Sequence, residues 1–261
     1  MSEFTGIECE INRYGNYRKI GRIGKTLKEL RKTILCKGQI VKTKRWQGKT
    51  DHPNFLELLH VDVLMKMEQT IEDMQKECNP MLPWADEHFE ERVSGIPWNP
   101  PPSHKHWLKG NEEYMDGEIF DHTYPERIWP KSICPDRGVR FEIADLNDLI
   151  ELLKDDPETR QAYLPIFFPE DLTAARKGKR VPCTLGWHFI VRNNRLDLFY
   201  PMRSCDVVRH LHNDFYLANR LALYVKERSN LDVDLGIMHF VATSLHCFET
   251  DKLYLKKITK D

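Results

Sequence analysis

Within residues 179–215, KRVPCTLGWHFIVRNNRLDLFYPMRSCDVVRHLHNDF, the chain gathers the side chains best suited to covalent chemistry. Cys183 follows Pro182 and can serve as a nucleophile once it is a thiolate, which a nearby arginine favours. Arg203 and Ser204 together offer a planar charged donor set and a hydroxyl, a combination suited to a phosphate. Two carboxylates follow, Asp206 and Asp214. Each has a blander alternative. A lone cysteine is usually a small buried hydrophobe, an aspartate is usually solvated surface, and His246 is structural by default. A metal site built from Cys205, His210 and His212 has none of the usual zinc spacings. A Cys183–His246 protease arrangement has no local support for a peptide cleft.

Elements must bring these groups together. Residues 186–191 and 196–200 read as strands around a turn at Asn193-Asn194. If they form a hairpin, Arg203 returns toward Cys183. Upstream, Asp145 can cap a helix to about Asp155, with Leu146, Leu149, Ile150 and Leu153 on one face and Pro157 beyond its end. Residues 162–168 read as a buried strand and 169–179 as a charged connection. Residues 214–228 are helical by pattern, and 235–248 read as a strand containing His239 and His246.

The first 50 residues are basic and mixed. Residues 21–26 end like a phosphate loop, in GKT, but Lys19 stands where that motif needs a glycine. The expectation is a basic surface followed by a helix near 26–34. Residues 52–78 read as a long amphipathic helix, with Phe55, Leu58, Leu59, Leu64, Met65, Ile71 and Met74 at three-and-four spacing. Residues 80–107 carry Pro80, Pro83, Pro97 and Pro100-Pro101-Pro102 around a short acidic helix, 84–92. They read as a structured loop beside a pocket. The order of elements implies one α+β domain over 1–261, without repeats.

The 261 residues carry 39 Lys and Arg against 40 Asp and Glu, a formal net charge of −1, so a bound anion needs a local cluster. No stable nucleic-acid partner is expected. Seven cysteines, an odd number without a CxxC pair, point to free thiols in a reducing, cytoplasmic setting. No secretory leader is evident, and no apolar run approaches the ~20 residues of a membrane span.

Taken in order, Pro182-Cys183 and its β-run, Arg203-Ser204-Cys205-Asp206-Val207, Asp214 and Ser244-Leu245-His246 resemble the thymidylate synthase superfamily. Pro157-Glu158-Thr159-Arg160 is similar to the family segment whose arginine reaches the phosphate in the partner subunit. The resemblance covers roughly residues 120–250 well and the first 50 poorly. It implies a thymidylate synthase-like α+β fold, a mixed sheet flanked by helices, and a homodimer formed through the sheet.

Three details resemble the pyrimidine hydroxymethylase branch of phages, closest to the deoxycytidylate hydroxymethylases. Thymidylate synthases carry histidine after the cysteine, glutamine before Arg-Ser and asparagine at the base-reading position. Here these are Thr184, Met202 and Asp214, with Asn213 before Asp214 and Phe215 after it. Cytosine offers an N3 acceptor and an N4 donor. A carboxylic acid can donate to N3 and accept from N4, or a carboxylate can accept from N4 and a protonated N3. Asp214 therefore argues for cytosine, the expected substrate being dCMP.

The resemblance further implies that a Cys183 thiolate adds to C6 of the nucleotide. C5 then attacks the methylene of 5,10-methylenetetrahydrofolate, and water captures the exocyclic methylene. By the same resemblance Arg203 and Ser204 bind the 5′-phosphate, with Arg160 supplied across the dimer. Asp206 contacts the folate pterin, Trp107 or Trp98 lines its pocket, and His246 bonds the sugar hydroxyl. A glutamate that orders water is expected among Glu87, Glu90 and Glu91, with Glu91 preferred. The chain departs from the family in having Arg160-Gln161 for two arginines and Phe248 for a sugar-binding tyrosine. The alternatives are a dCMP C5-methyltransferase, a CMP hydroxymethylase and a dUMP-acting relative. A more remote one is a non-catalytic nucleotide- or RNA-binding relative.

Overall fold

The structure, a computed structural model, describes residues 20–46, 49–107, 115–130 and 143–259. Strand β1 (Ile20–Arg22) runs directly into helix α1 (Ile23–Lys37), the helix expected near 26–34. Its Ile23, Leu27, Leu30 and Ile34 recur at helical spacing and are buried. The Gly24 N–H donates to the Glu77 carboxylate at 3.0 Å, and Arg22 pairs with the same side chain. An internal carboxylate thus occupies the helix N-terminus where a phosphate loop would hold its anion.

Strand β2 (Gln39–Val41) pairs antiparallel with β3 (Phe55–Lys66), and α2 (Ile71–Cys78) follows. The long helix expected over 52–78 is therefore wrong in its first half. Leu56 and Leu58 pack on the core in strand alternation, but after His60, at φ 54°, the core positions become Val61, Val63 and Met65. That one-residue slip turns a period of two into a spacing of three, which mimics a helix.

Helix α3 (Trp84–Val93) precedes the proline-rich loop, a 3-10 turn (Pro102–His106), the small hairpin β4 (Met115–Asp116) and β5 (Ile119–Phe120), and the single-turn helix α4 (Tyr124–Ile128). The loop is structured. Asn99 donates to the Phe120 carbonyl at 2.9 Å, accepts the Phe120 N–H at 2.8 Å, and donates to Glu126 at 2.9 Å. Helix α5 (Leu146–Asp155) has the expected Asp145 cap, in a reciprocal box with Asp148. Strand β6 (Tyr163–Pro165) is shorter than expected, and the charged connection contains a helix, α6 (Glu170–Arg176). Then come β7 (Gly186–Arg192), β8 (Arg195–Asp206), α7 (Leu211–Arg228), β9 (Asp234–Phe248) and α8 (Lys252–Ile258).

The main sheet runs β1-β3-β9-β8-β7-β6, with β2 beside β3. Strands β8 and β9 are parallel, as are β1 and β3, and the other pairs are antiparallel. Helix α7 makes the β8–β9 crossover and packs on both strands, clasped by α1, α2 and α3. Two of its buried polar side chains are matched: Asn219 bonds both the N–H and the carbonyl of Glu68, and Arg220 reaches Asp86 and Glu90.

The slip in β3 is shared by its neighbours. Pairing passes from Leu59 to Val61, from Ala242 to Ser244 and from Met202 to Ser204, omitting His60, Thr243 and Arg203. An irregularity stacked across three strands re-aims the side chains on either side of it. On β8 it leaves two consecutive residues, Arg203 and Ser204, off the core face, while Met202 and Cys205 are buried. The far face of the sheet carries half-buried Ile190, Phe199, Pro201, His239 and Val241.

Candidate active site

The β7–β8 hairpin does what its sequence suggested. Asn193 and Asn194 turn the chain at φ 48° and 58°, and Thr184 pairs with Met202. The Arg203 N–H then donates to the Cys183 carbonyl at 2.9 Å. The Arg203 guanidinium donates to the Pro182 and Val181 carbonyls at 2.8 and 2.9 Å, which holds Nη2 at 3.7 Å from the Cys183 Sγ. Burial pushes the Cys183 thiol up; Arg203 is the main opposing influence.

Asp214, in the first turn of α7, faces the same space. Its Oδ2 lies 3.5 Å from the Cys205 Sγ. Burial pushes its carboxyl up, against the pull of His210, Arg92 and the Cys205 hydrogen bond. Cys183 and Asp214 are each enclosed by neighbouring groups yet keep solvent-accessible surface, as residues lining a cleft do. Asn213, one position earlier, points elsewhere: its amide oxygen accepts the Met81 N–H at 2.8 Å. That bond fastens the entry to α3 onto α7.

Two side chains of this wall, Tyr124 and Arg92, had no role in the sequence analysis. The Tyr124 hydroxyl is 3.0 Å from the Thr184 hydroxyl, which is 3.1 Å from the Tyr200 hydroxyl. Burial pushes the Tyr124 phenol up to about 12, so it stays a donor. The Arg92 guanidinium lies over the Tyr124 ring, 4.1 Å from its centroid. Thr123 with Glu126 forms a capping box that fixes Tyr124, and the Thr-Tyr-Pro-Glu run with proline in the first turn was the available clue.

Glu91 sits behind Arg92. Its carboxylate accepts from the Ser103 hydroxyl at 2.7 Å, the Ser103 N–H and His88 Nδ1 at 3.2 Å. Arg92 Nη2 donates to His88 Nε2 at 3.0 Å, which makes Nδ1 the protonated ring nitrogen. Burial pushes the Glu91 carboxyl up, but the bonds from His88 and Ser103 outweigh it and hold it below its usual value. Glu87 instead pairs with Lys105 and His106, and Glu90 with Arg220. Of the three, Glu91 is the one buried beside the Arg92–Tyr124 wall.

Ser204 Oγ lies 3.3 Å from His246 Nδ1, and burial holds the His246 imidazole below its usual value. Phe55 meets His246 edge-on and stacks on Phe248. Asp206 accepts the Val208 and Arg209 N–H groups through Oδ1 at 2.8 and 2.9 Å, leaving Oδ2 3.9 Å from Arg209 Nε. Trp107 packs against Phe120, 5.1 Å between ring centroids. Arg160 is not part of this group: it is exposed beside edge strand β6, where its carbonyl lies 3.0 Å from His188 Nε2.

The thymidylate synthase family model matches residues 89–257. The chain is 32% identical over 151 residues to a deoxyuridylate hydroxymethyltransferase of Bacillus phage SP01, covering 56% of this chain and 38% of that protein. It is 27% identical over 141 residues to a Methanosarcina mazei protein provisionally named a thymidylate synthase, covering 54% of this chain and 59% of that one. The alignments thus span less than two thirds of either relative. Thermostable thymidylate synthase A from Bacillus subtilis superposes with a TM-score of 0.66 at 16% identity, over 92% of this chain and 84% of that one, a likeness of fold.

Proposed function

The chain belongs to the thymidylate synthase family, and from that premise we propose that it hydroxymethylates C5 of a pyrimidine nucleoside monophosphate, dCMP in preference to dUMP. Methylenetetrahydrofolate is the one-carbon donor of this reading. The Asp214 carboxyl facing the Cys183 cleft carries it, supported by the 3.7 Å approach of Arg203 to the thiol.

Each residue then has a task. Cys183 adds to C6 of the base. Arg203 keeps the thiolate accessible and, with Ser204, holds the 5′-phosphate; the stacked irregularity that turns both off the core face supports that pairing. Asp214 meets the N3/N4 edge of cytosine. His246, beside Ser204, contacts the sugar. Asp206 faces the folate; Oδ2, the oxygen that caps no backbone group, suits a pterin donor. Glu91 orders water and relays protons to the base, held in place by His88 and Ser103. Trp107 lines the folate pocket.

The partner subunit supplies Arg160, and the half-buried apolar far face of the sheet is the surface by which two copies would join. No helix among the described residues is long and apolar enough to cross a membrane.

The deoxyuridylate specificity named for the phage relative favours a second reading, dUMP as substrate. Incubation with methylenetetrahydrofolate and either dCMP, CMP or dUMP, followed by product mass, separates these. Hydroxymethyl-dCMP is expected. A preference for dUMP overturns the cytosine reading, and a product heavier by only a methyl group overturns water capture. Cys183→Ala should abolish tritium release from C5, and retained exchange would remove Cys183 from the mechanism.

A further inference from the structure

The preference for cytosine read from Asp214 requires the proton of its carboxyl to be held on one particular oxygen. Burial pushes the Asp214 carboxyl toward its neutral form, which has one O–H donor and one carbonyl acceptor. With the proton facing N3 and the carbonyl facing N4, the acid fits cytosine. With the carbonyl facing N3 and the proton facing O4, it fits uracil equally well. A proton that can sit on either oxygen adapts to both bases, so discrimination needs a second group to hold one oxygen in a fixed role.

Cys205 is placed to do this. It is buried on the core face of β8, and its Sγ lies 3.5 Å from Asp214 Oδ2, while the alternative acceptor, the Asp206 carbonyl, is at 3.9 Å. Burial keeps its thiol protonated, so the sulfur offers a hydrogen. The carbonyl oxygen of a carboxylic acid accepts better than its hydroxyl oxygen. We propose that Cys205 is a positioning residue for base specificity, its thiol hydrogen fixing Oδ2 as the acceptor and the Asp214 proton on Oδ1. Cys205 thereby sets which way round the acid presents its donor and acceptor to the pyrimidine edge. The proposal rests on the reading of Asp214 as the base-contacting group.

The test compares wild type, Cys205→Ala and Cys205→Ser by calorimetric affinity for dCMP and dUMP, with melting temperature recorded for each. In Cys205→Ala the dCMP:dUMP affinity ratio should move roughly 3- to 10-fold toward parity, as expected for loss of one weak buried hydrogen bond. Cys205→Ser, with a stronger donor in the same place, should restore it. A merely structural role would lower the melting temperature and weaken both nucleotides alike; an unchanged ratio in Cys205→Ala overturns the proposal. If Cys205→Ala does not fold, the serine variant decides: a ratio held or sharpened supports the donor role, and a collapsed ratio overturns it. Failure of the cytosine reading is seen separately, as a wild type that prefers dUMP. The alanine variant must still move toward parity in that case.

Discussion

At Cys183 burial and Arg203 pull the thiol in opposite directions, and burial prevails. A thiol held above its ordinary value is largely protonated at neutral pH, so its reactivity should climb as pH rises. Alkylation of Cys183 by iodoacetamide, followed by peptide mass, should show that climb. Arg203→Ala removes the main lowering influence and should displace the profile to higher pH, while Arg203→Lys should keep it nearly in place. A profile unmoved in Arg203→Ala would mean that the 3.7 Å approach does not govern the thiol. Turnover should fall about 10- to 100-fold in Arg203→Ala, because a charged hydrogen bond of about 1.5–3 kcal/mol is lost. The pairing of Arg203 with Cys183 could be foreseen because it follows from two strands and a two-residue turn. Tyr124 and Arg92 could not, because Tyr124 meets Thr184 across 60 residues of chain and Arg92 reaches it from a separate helix. Asn213 marks the opposite limit: its neighbour in sequence reaches the cleft, yet the helix rotates its own amide onto Met81.

The hairpin is the element on which the site depends, and its turn carries the strain. Asn193 and Asn194 both occupy the left-handed region, as a two-residue hairpin with the twist of its strands requires. Asparagine tolerates that region better than other side chains, and glycine better still. Asn194→Gly should therefore raise the urea midpoint, by about 0.5–1 kcal/mol in stability, and leave catalysis intact. Asn193→Val should cost about 1–2 kcal/mol. Equal midpoints for both variants would show that the turn does not set hairpin stability. This turn, the Asp145 cap and helix α5 were legible because each rests on local chemistry. Strand β3 was not, because the slip at His60, shared with β9 and β8 alongside it, scrambles the alternation that identifies a strand. Helix α6 escaped notice because its face is mostly exposed and so leaves little apolar periodicity.

On the scale of the whole molecule, the order of strands and helices identified an α+β chain, but not which face of the sheet the helices cover. Both faces carry apolar residues at alternate positions: Leu198, Tyr200 and Met202 inward, Phe199 and Pro201 outward. A second apolar face normally signals a second layer. If that layer is another copy of the chain, the position of Arg160 makes sense. It is exposed beside β6 and outside the Cys183 group, as the proposed donation to a neighbour's phosphate site requires. In a closed twofold dimer each subunit gives its arginine to the other. Arg160→Ala and Cys183→Ala should then each be nearly inactive alone. Unfolded together and refolded at equal amounts, about half of the dimers would be mixed, and one of the two sites in each would regain both an intact Cys183 and a donated Arg160. Activity should return to about a quarter of wild type. If the mixture stays as inactive as its parents while sedimentation shows mixed dimers, Arg160 serves its own subunit and the sheet face has another purpose.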